Sequence, residues 1–303
     1  MTPNAKKLAS KLRGFFGLTK TGKMTDELDQ ADGTEQIKIA IPNNSESEKL
    51  PWTFEVSWDV VDNVDQICTI NGEKNILIGP YRPHRVLDDE IYETDFPAGS
   101  LPAMAVEAIR AQGIQVITGK WKVRKLPPGI LFNIESARNK VGNEYIKKFK
   151  REHKIHIPDG DLEGNDAVVF GYIIAEFLAN FESLRSPLTT NNDQERSSEI
   201  VRDLDTCAQF HDWKCGIGLI LVHKLKIPIT KIFTLNTSLL KGNFESHEQA
   251  KEEALHRGIH HRFSVEHAAI QSADIFSPVS KRVARQAEVV HQREPDFVII
   301  RMA

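Results

Sequence analysis

Ala208-Gln-Phe-His-Asp-Trp-Lys-Cys-Gly-Ile-Gly-Leu-Ile-Leu221 is the stretch on which the fold turns. A short extended run, ending near His211, gives way to an apolar helix interrupted by Gly216 and Gly218. In an open α/β sheet, ligands bind in the crevice at the carboxyl ends of the strands, so a histidine at such a turn is placed to meet a substrate. The plain alternative is that His211 caps the helix while Asp212 and Trp213 pack its first turn. One histidine in a turn does not decide between the two.

Outward from this turn the chain alternates strands with helices. Downstream, a helix over Trp213–Leu225 leads to Pro228 and a strand over Ile229–Thr234. Helices follow at about Ser246–Leu255 and Arg262–Ser272, then a strand at Asp274–Pro278, a helix at Ser280–His291 and a last strand at Asp296–Ile300. Upstream, strands are expected at Trp52–Val60, Asn75–Tyr81, Ile114–Thr118 and Gly129–Ile134. A helix over Leu101–Gln112 is stopped by Gly113, and Asn165 and Asp166 are expected to cap a long apolar helix through Phe181. Ser186–Ser198 reads as a polar surface loop. The alternation predicts βαβ units and a doubly wound parallel sheet of Rossmann-like α/β class.

The 303 residues, 40% hydrophobic and 27% charged, are ordinary globular composition with ample material for a core. A net charge of -3 argues against a broad nucleic-acid surface. Cys68, Cys207 and Cys215 are too few and too unevenly spaced for a disulfide framework or structural zinc site, which fits a reducing, cytoplasmic setting. No apolar run reaches the roughly 18 residues of a membrane span, so no transmembrane segment is expected. Residues 1–50 form a tail apart from the folded domain expected over 51–303. Lys6, Lys7, Lys11, Arg13, Lys20 and Lys23 precede the first acid, Asp26, while Leu8, Leu12, Phe15 and Phe16 share a helical face. Such a segment is either a basic amphipathic helix for a membrane surface or organelle, or a flexible tail. Thr25–Leu50 reads as a polar linker.

Other constellations carry less. His256, His260 and His261 offer an i, i+4 pair on a helix but no third metal ligand of suitable spacing, so no metal site is expected. Gly216-x-Gly218 lacks the third glycine and the acidic ribose ligand of a dinucleotide fingerprint, and reads instead as close packing of the helix on the sheet. Lys147–Lys154 is a solvated basic face, and Cys68 and Cys215 read as small buried apolar residues.

Several blocks together resemble the N-terminal half of animal and fungal glycogen (starch) synthase. They are Phe54-Glu-Val-Ser-Trp-Asp-Val60, Ile78-Gly-Pro-Tyr81, Gly119-Lys-Trp121, Asn165-Asp-Ala-Val-Val-Phe-Gly171, Phe210-His-Asp-Trp213, Ile232-Phe-Thr234 with Leu239-Leu240, and the run from Arg262 through Glu266 to Asp296. The resemblance implies a GT-B fold, two Rossmann-like domains facing across a cleft. It implies transfer of glucose from UDP-glucose to the non-reducing end of an α-1,4-glucan, with retention and with no metal or resident cofactor. Glycogen and glycogenin are the implied partners, with a full-length synthase subunit a further one. His211 matches the motif histidine near the transferred glucose, where it would orient hydroxyls and stabilise charge, with Asp212, Trp213 and Asn236 as substrate-binding residues.

The chain also departs from the family. Where the family has Lys-Val-Gly-Gly after its first strand, this chain has Asn63-Val-Asp-Gln66. The phosphate-facing lysine and glycines are gone, and Asp65 adds negative charge. The family has a histidine at Asn236 and an arginine near Gly242, both contacts to UDP-glucose, and a guanidinium fork is not replaced by glycine. The second GT-B domain, with its two catalytic glutamates, is expected to be absent. The chain by itself is therefore expected to transfer no glucose. Two function classes stay open: a diverged synthase chain belonging to a glucosyltransferase, or a catalytically inactive synthase-like protein that binds glycogenin, a glucan or a synthase subunit. A truncated product without function is a third.

Overall fold

The computed structural model describes residues 52–59, 74–81, 91–121, 127–190 and 206–296. The expected N-terminal tail and linker, the Asn63–Gln66 segment, Cys68, most of the polar loop after Ser186 and nearly all of the last strand lie outside the described residues. In chain order the strands are β1 (Trp52–Val56), β2 (Asn75–Tyr81), β3 (Ile91–Glu93), β4 (Val116–Trp121), β5 (Gly129–Asn133), β6 (Thr206–His211), β7 (Thr230–Leu235) and β8 (Ile275–Pro278). The helices are α1 (Leu101–Arg110), α2 (Ile134–Ala137), α3 (Asn143–His153), α4 (Leu162–Thr190), α5 (Asp212–Lys224), α6 (His247–His256), α7 (His260–Ser272) and α8 (Lys281–His291).

The strands form one eight-stranded sheet in the order β3-β4-β5-β2-β1-β6-β7-β8. From β5 to β8 all neighbours are parallel. Counted along the chain, those parallel strands run in the Rossmann order, out from β1 to one edge through β2 and β5, then back to β6 and out to the other edge. The doubly wound sheet read from the sequence is thus present, and its switch point lies between β1 and β6. The expected strand near Ile114 becomes β4, antiparallel to both β5 and β3, which extends the sheet at one edge.

Alternation along the strands decides which side chains meet the helices. Phe54 of β1 lies edge-on to Phe177 and Phe181 of α4, with ring centroids 5.7 and 4.9 Å apart. Phe132 of β5 meets the same helix through Phe170 and Phe177. The α4 and α5 backbones cross in contact at Gly171 and Gly218. A Cβ on Gly171 would sit 2.9 Å from the Gly218 backbone nitrogen and 2.6 Å from Ile217 Cγ2. Gly216 faces Phe233 of β7 and Ala269 of α7, so the glycines serve helix-on-helix as well as helix-on-sheet packing.

Two sequence expectations change. The long helix begins at Leu162 and is capped by Asp161, whose Oδ1 accepts the Gly164 N–H at 3.0 Å. Asn165 and Asp166 are inside it: the Asn165 amide donates to the carbonyls of Pro158 and Asp159, and Asp166 receives Arg138 through both oxygens. Its backbone continues to Thr190, so the start of the expected polar loop is helical. This helix also meets the length and hydropathy of a membrane span over Leu162–Arg185, where no such run was expected, but 72% of that window is buried in the core. The second change is the helical run from Ile134 to His153, missed in the sequence. Its α2 is capped by Asn133 and continues into α3 through a π-helical stretch at Arg138–Gly142.

Candidate functional site

The carboxyl ends of β1 and β6 flank the switch point, and the His-Asp-Trp turn sits there. His211 ends β6 and occupies the N-cap position of α5, yet its side chain makes no capping bond. The simple cap is therefore not what this histidine does. Its side chain is only 7% exposed, with Nε2 3.5 Å from Glu55 Oε1 on β1 and Nδ1 3.4 Å from Asn236 Nδ2 beyond β7.

Asp212 has a left-handed backbone, φ 59°, which a non-glycine residue holds only when its surroundings repay the strain. The return is visible in its carboxylate. Oδ1 accepts the Asn236 backbone N–H at 2.8 Å, and Oδ2 accepts the Asn236 side-chain amide at 3.0 Å. The left-handed turn aims Asp212 sideways along the strand ends, so it fastens the loop after β7 to the start of α5.

Trp213 is buried at 5% exposure. The Arg262 guanidinium lies over its ring, 5.0 Å from the centroid, at the N-terminal end of α7. Arg262 in turn grips Asp161 at the N-terminus of α4 through two bonds of 2.6 and 2.9 Å, and His261 Nε2 adds a contact at 2.6 Å. Burial alone would raise the Asp161 carboxyl, but the bonds from Arg262, His261 and the Gly164 N–H outweigh it and bring it down to about 2. Lys214 Nζ closes the cluster on Glu163 at 2.6 Å. The N-termini of α4, α5 and α7 are thus cross-tied around Trp213.

Of the sequence-predicted residues, His211 and Asp212 each meet Asn236, while the ring of Trp213 packs under Arg262 instead. Three that complete the arrangement were not singled out as site residues: Glu55, Asp161 and Arg262. Glu55 was readable as an acid between Phe54 and Val56 in a buried strand; Asp161 and Arg262 are about a hundred residues apart and carry no joint signal. The expected i, i+4 pair does not lie on one helix, because His256 ends α6 and His260 begins α7, and His261 is engaged by Asp161. Among the described residues, no group of three or more His, Cys, Asp or Glu side chains is arranged to hold a metal ion. Cys215 is fully buried beneath the turn, and burial pushes its thiol well above the ordinary range.

A Rossmann-order sheet with a polar turn at its switch point is the arrangement at which open α/β domains bind their ligands. The glycogen synthase family model matches residues 55–301. This chain belongs to the glycogen synthase family. It is 32% identical to the liver glycogen [starch] synthase of Rattus norvegicus over 278 residues, 84% of this chain and 37% of the rat protein. Against the Neurospora crassa synthase it is 30% identical over 267 residues, 81% of this chain and 35% of that one. The chain thus spans a little over a third of the length of these relatives. Among solved structures, a UDP-forming α,α-trehalose-phosphate synthase from Burkholderia vietnamiensis aligns with 80% of this chain and 43% of its own at 11% identity and a TM-score of 0.34.

Proposed function

We propose that this chain is the His211-bearing domain of a glucosyltransferase of the glycogen synthase type. It acts in the cytoplasm on UDP-glucose and the non-reducing end of an α-1,4-glucan, with retention and with neither metal nor resident cofactor. Glycogen, glycogenin and full-length synthase are its family partners. The observation that carries this reading is the built turn at the switch point, where a strained Asp212 ties the Asn236 loop beside His211. In this role His211 orients sugar hydroxyls and stabilises charge near the reacting carbon. Asp212 and Asn236 shape the wall of the sugar site, and Trp213 supports it from beneath.

One observation favours a second reading, a synthase-like binding protein without transfer: both ring nitrogens of His211 face protein groups, and the side chain is 7% exposed. Incorporation of radiolabel from UDP-glucose into glycogen separates the two. The chain by itself is expected to incorporate nothing above its His211→Ala control, and clear incorporation would overturn that expectation. Joined to the C-terminal half of the rat liver synthase, the chain is expected to incorporate label, and His211→Ala to lower the rate on the order of 10²-fold. A folded but silent hybrid would favour the binding protein.

A further inference from the structure

Four side chains form a relay across the switch point: Asp212, Asn236, His211 and Glu55. The Asn236 amide nitrogen gives one N–H to Asp212 Oδ2 at 3.0 Å and lies 3.4 Å from His211 Nδ1. The amide cannot be turned over, because its oxygen would then face the Asp212 carboxylate. A primary amide has two N–H donors, so the second is directed at Nδ1, which must act as acceptor. A neutral imidazole that accepts at Nδ1 carries its proton on Nε2. Nε2 lies 3.5 Å from Glu55 Oε1, an approach that is not a formed hydrogen bond, and both side chains are buried at 7% and 3% exposure, so the carboxylate is the acceptor nearest to that N–H in a site closed to water.

We infer that Glu55 is a positioning residue for His211, and that the relay holds the ring as its Nε2–H tautomer with its plane fixed from both sides. The N–H of His211 then reaches a sugar hydroxyl only by turning away from Glu55, so Glu55 governs how the ring meets a ligand. That consequence rests on the proposed function above; the tautomer does not.

The chain contains its own reference. His247 Nδ1 lies 2.6 Å from the Val290 carbonyl oxygen, which only accepts, so His247 must be the Nδ1–H tautomer. Long-range proton–nitrogen correlation spectra of the full chain, recorded at about pH 8, above the ordinary value of about 6.5 for an imidazole, read both rings at once. The expected result is opposite tautomers, Nε2–H for His211 and Nδ1–H for His247. Glu55→Ala and Asn236→Ala should each convert His211 to a mixture, whereas Glu55→Gln, which keeps an accepting oxygen, should retain Nε2–H. An unchanged His247 signal certifies that each variant is folded; if Glu55→Ala fails that check, Glu55→Gln and Asn236→Ala decide. A wild-type His211 in the Nδ1–H form, or a His211 tautomer indifferent to a folded Glu55→Ala or to Asn236→Ala, would overturn the inference. A silent hybrid enzyme with the expected tautomers would count against the function and leave the relay standing.

Discussion

Replacing Asp212 tests how the site is held, because strain and hydrogen bonding pull in opposite directions there. Asp212→Ala removes the acceptor of the Asn236 backbone N–H at 2.8 Å and of its side-chain amide at 3.0 Å, and leaves a Cβ in the left-handed region. Hydrogen bonds to a charged group contribute about 1.5–3 kcal/mol each, but two on one residue overlap. The lost negative charge at the α5 N-terminus adds a few tenths to about 1 kcal/mol. We expect a total near 3 kcal/mol for Asp212→Ala. Asp212→Gly loses the same bonds but relieves a left-handed strain of roughly 1 kcal/mol, so it should cost about 2 kcal/mol. Asp212→Asn tolerates the backbone and keeps one accepting oxygen, and should cost least. For a domain of this size, about 3 kcal/mol corresponds to a fall in Tm of roughly 6–12 °C. Thermal melts followed by tryptophan fluorescence at neutral pH should therefore rank wild type, Asn, Gly and Ala in descending order. If Ala and Gly melt together the strain argument is wrong, and if Ala melts with wild type the tie to Asn236 contributes nothing.

Two further outcomes follow from packing and burial. Gly171→Ala gains about 1 kcal/mol of helix propensity, but its Cβ meets Gly218 backbone at 2.9 Å; rigid overpacking near 3 kcal/mol should leave it about 2 kcal/mol less stable. Gly218→Ala, whose nearest neighbour is Phe210 Cε1 at 3.3 Å, should be close to neutral when both variants are compared by denaturant titration; equal losses at both positions would refute the backbone-contact argument. Burial, with the neighbouring His291 and His247, brings His267 down to about 4 from its ordinary 6.5. The unfolded chain then binds the proton more readily, so this contribution to stability is whole above about pH 6.5, falls through that range and is gone below about pH 4. Burial lowers His153 also, giving a slope of the same sign. His267→Phe should flatten the dependence of Tm on pH between about 6.5 and 4, and an unaltered slope would remove His267 from the account.

Much of the fold was legible because the core strands and helices advertise themselves by period. Asn75–Tyr81 and the helix after His211 are apolar enough that local pattern and tertiary burial agree, and Gly113 stops α1 as read, at a φ of 77°. The run from Ile134 to His153 was not legible. Its buried side chains are few and spread out, Ile134, Ala137, Tyr145 and Phe149, most of the rest is polar or charged, and a π-helical stretch at Arg138–Gly142 breaks the period. The cap of α4 was misplaced for a related reason. Asn165 and Asp166 have the chemistry of caps, but Asp161 stands nearer the loop, and the interior positions are filled by Asn165 bonding backward and Asp166 holding Arg138.

The site divides the same way. His211, Asp212, Trp213 and Asn236 were named from the motif, since a histidine at a strand-to-helix turn has a place in any α/β sheet. What the motif could not say is where the side chains are aimed. The sequence by itself determined the class of sheet, most of its strands and helices and the synthase ancestry, because period-two and period-3.6 burial and a string of local blocks are written in neighbouring residues. Only the tertiary structure decided that β1 lies against β6, which brings Glu55 to His211 across more than a hundred and fifty intervening residues. It alone decided that Asp212 turns left-handed and fastens to Asn236, and that Arg262 and Asp161 close over Trp213. Those contacts depend on strand order and helix crossing, and these are set by the packing of the whole core, not by any local run of residues.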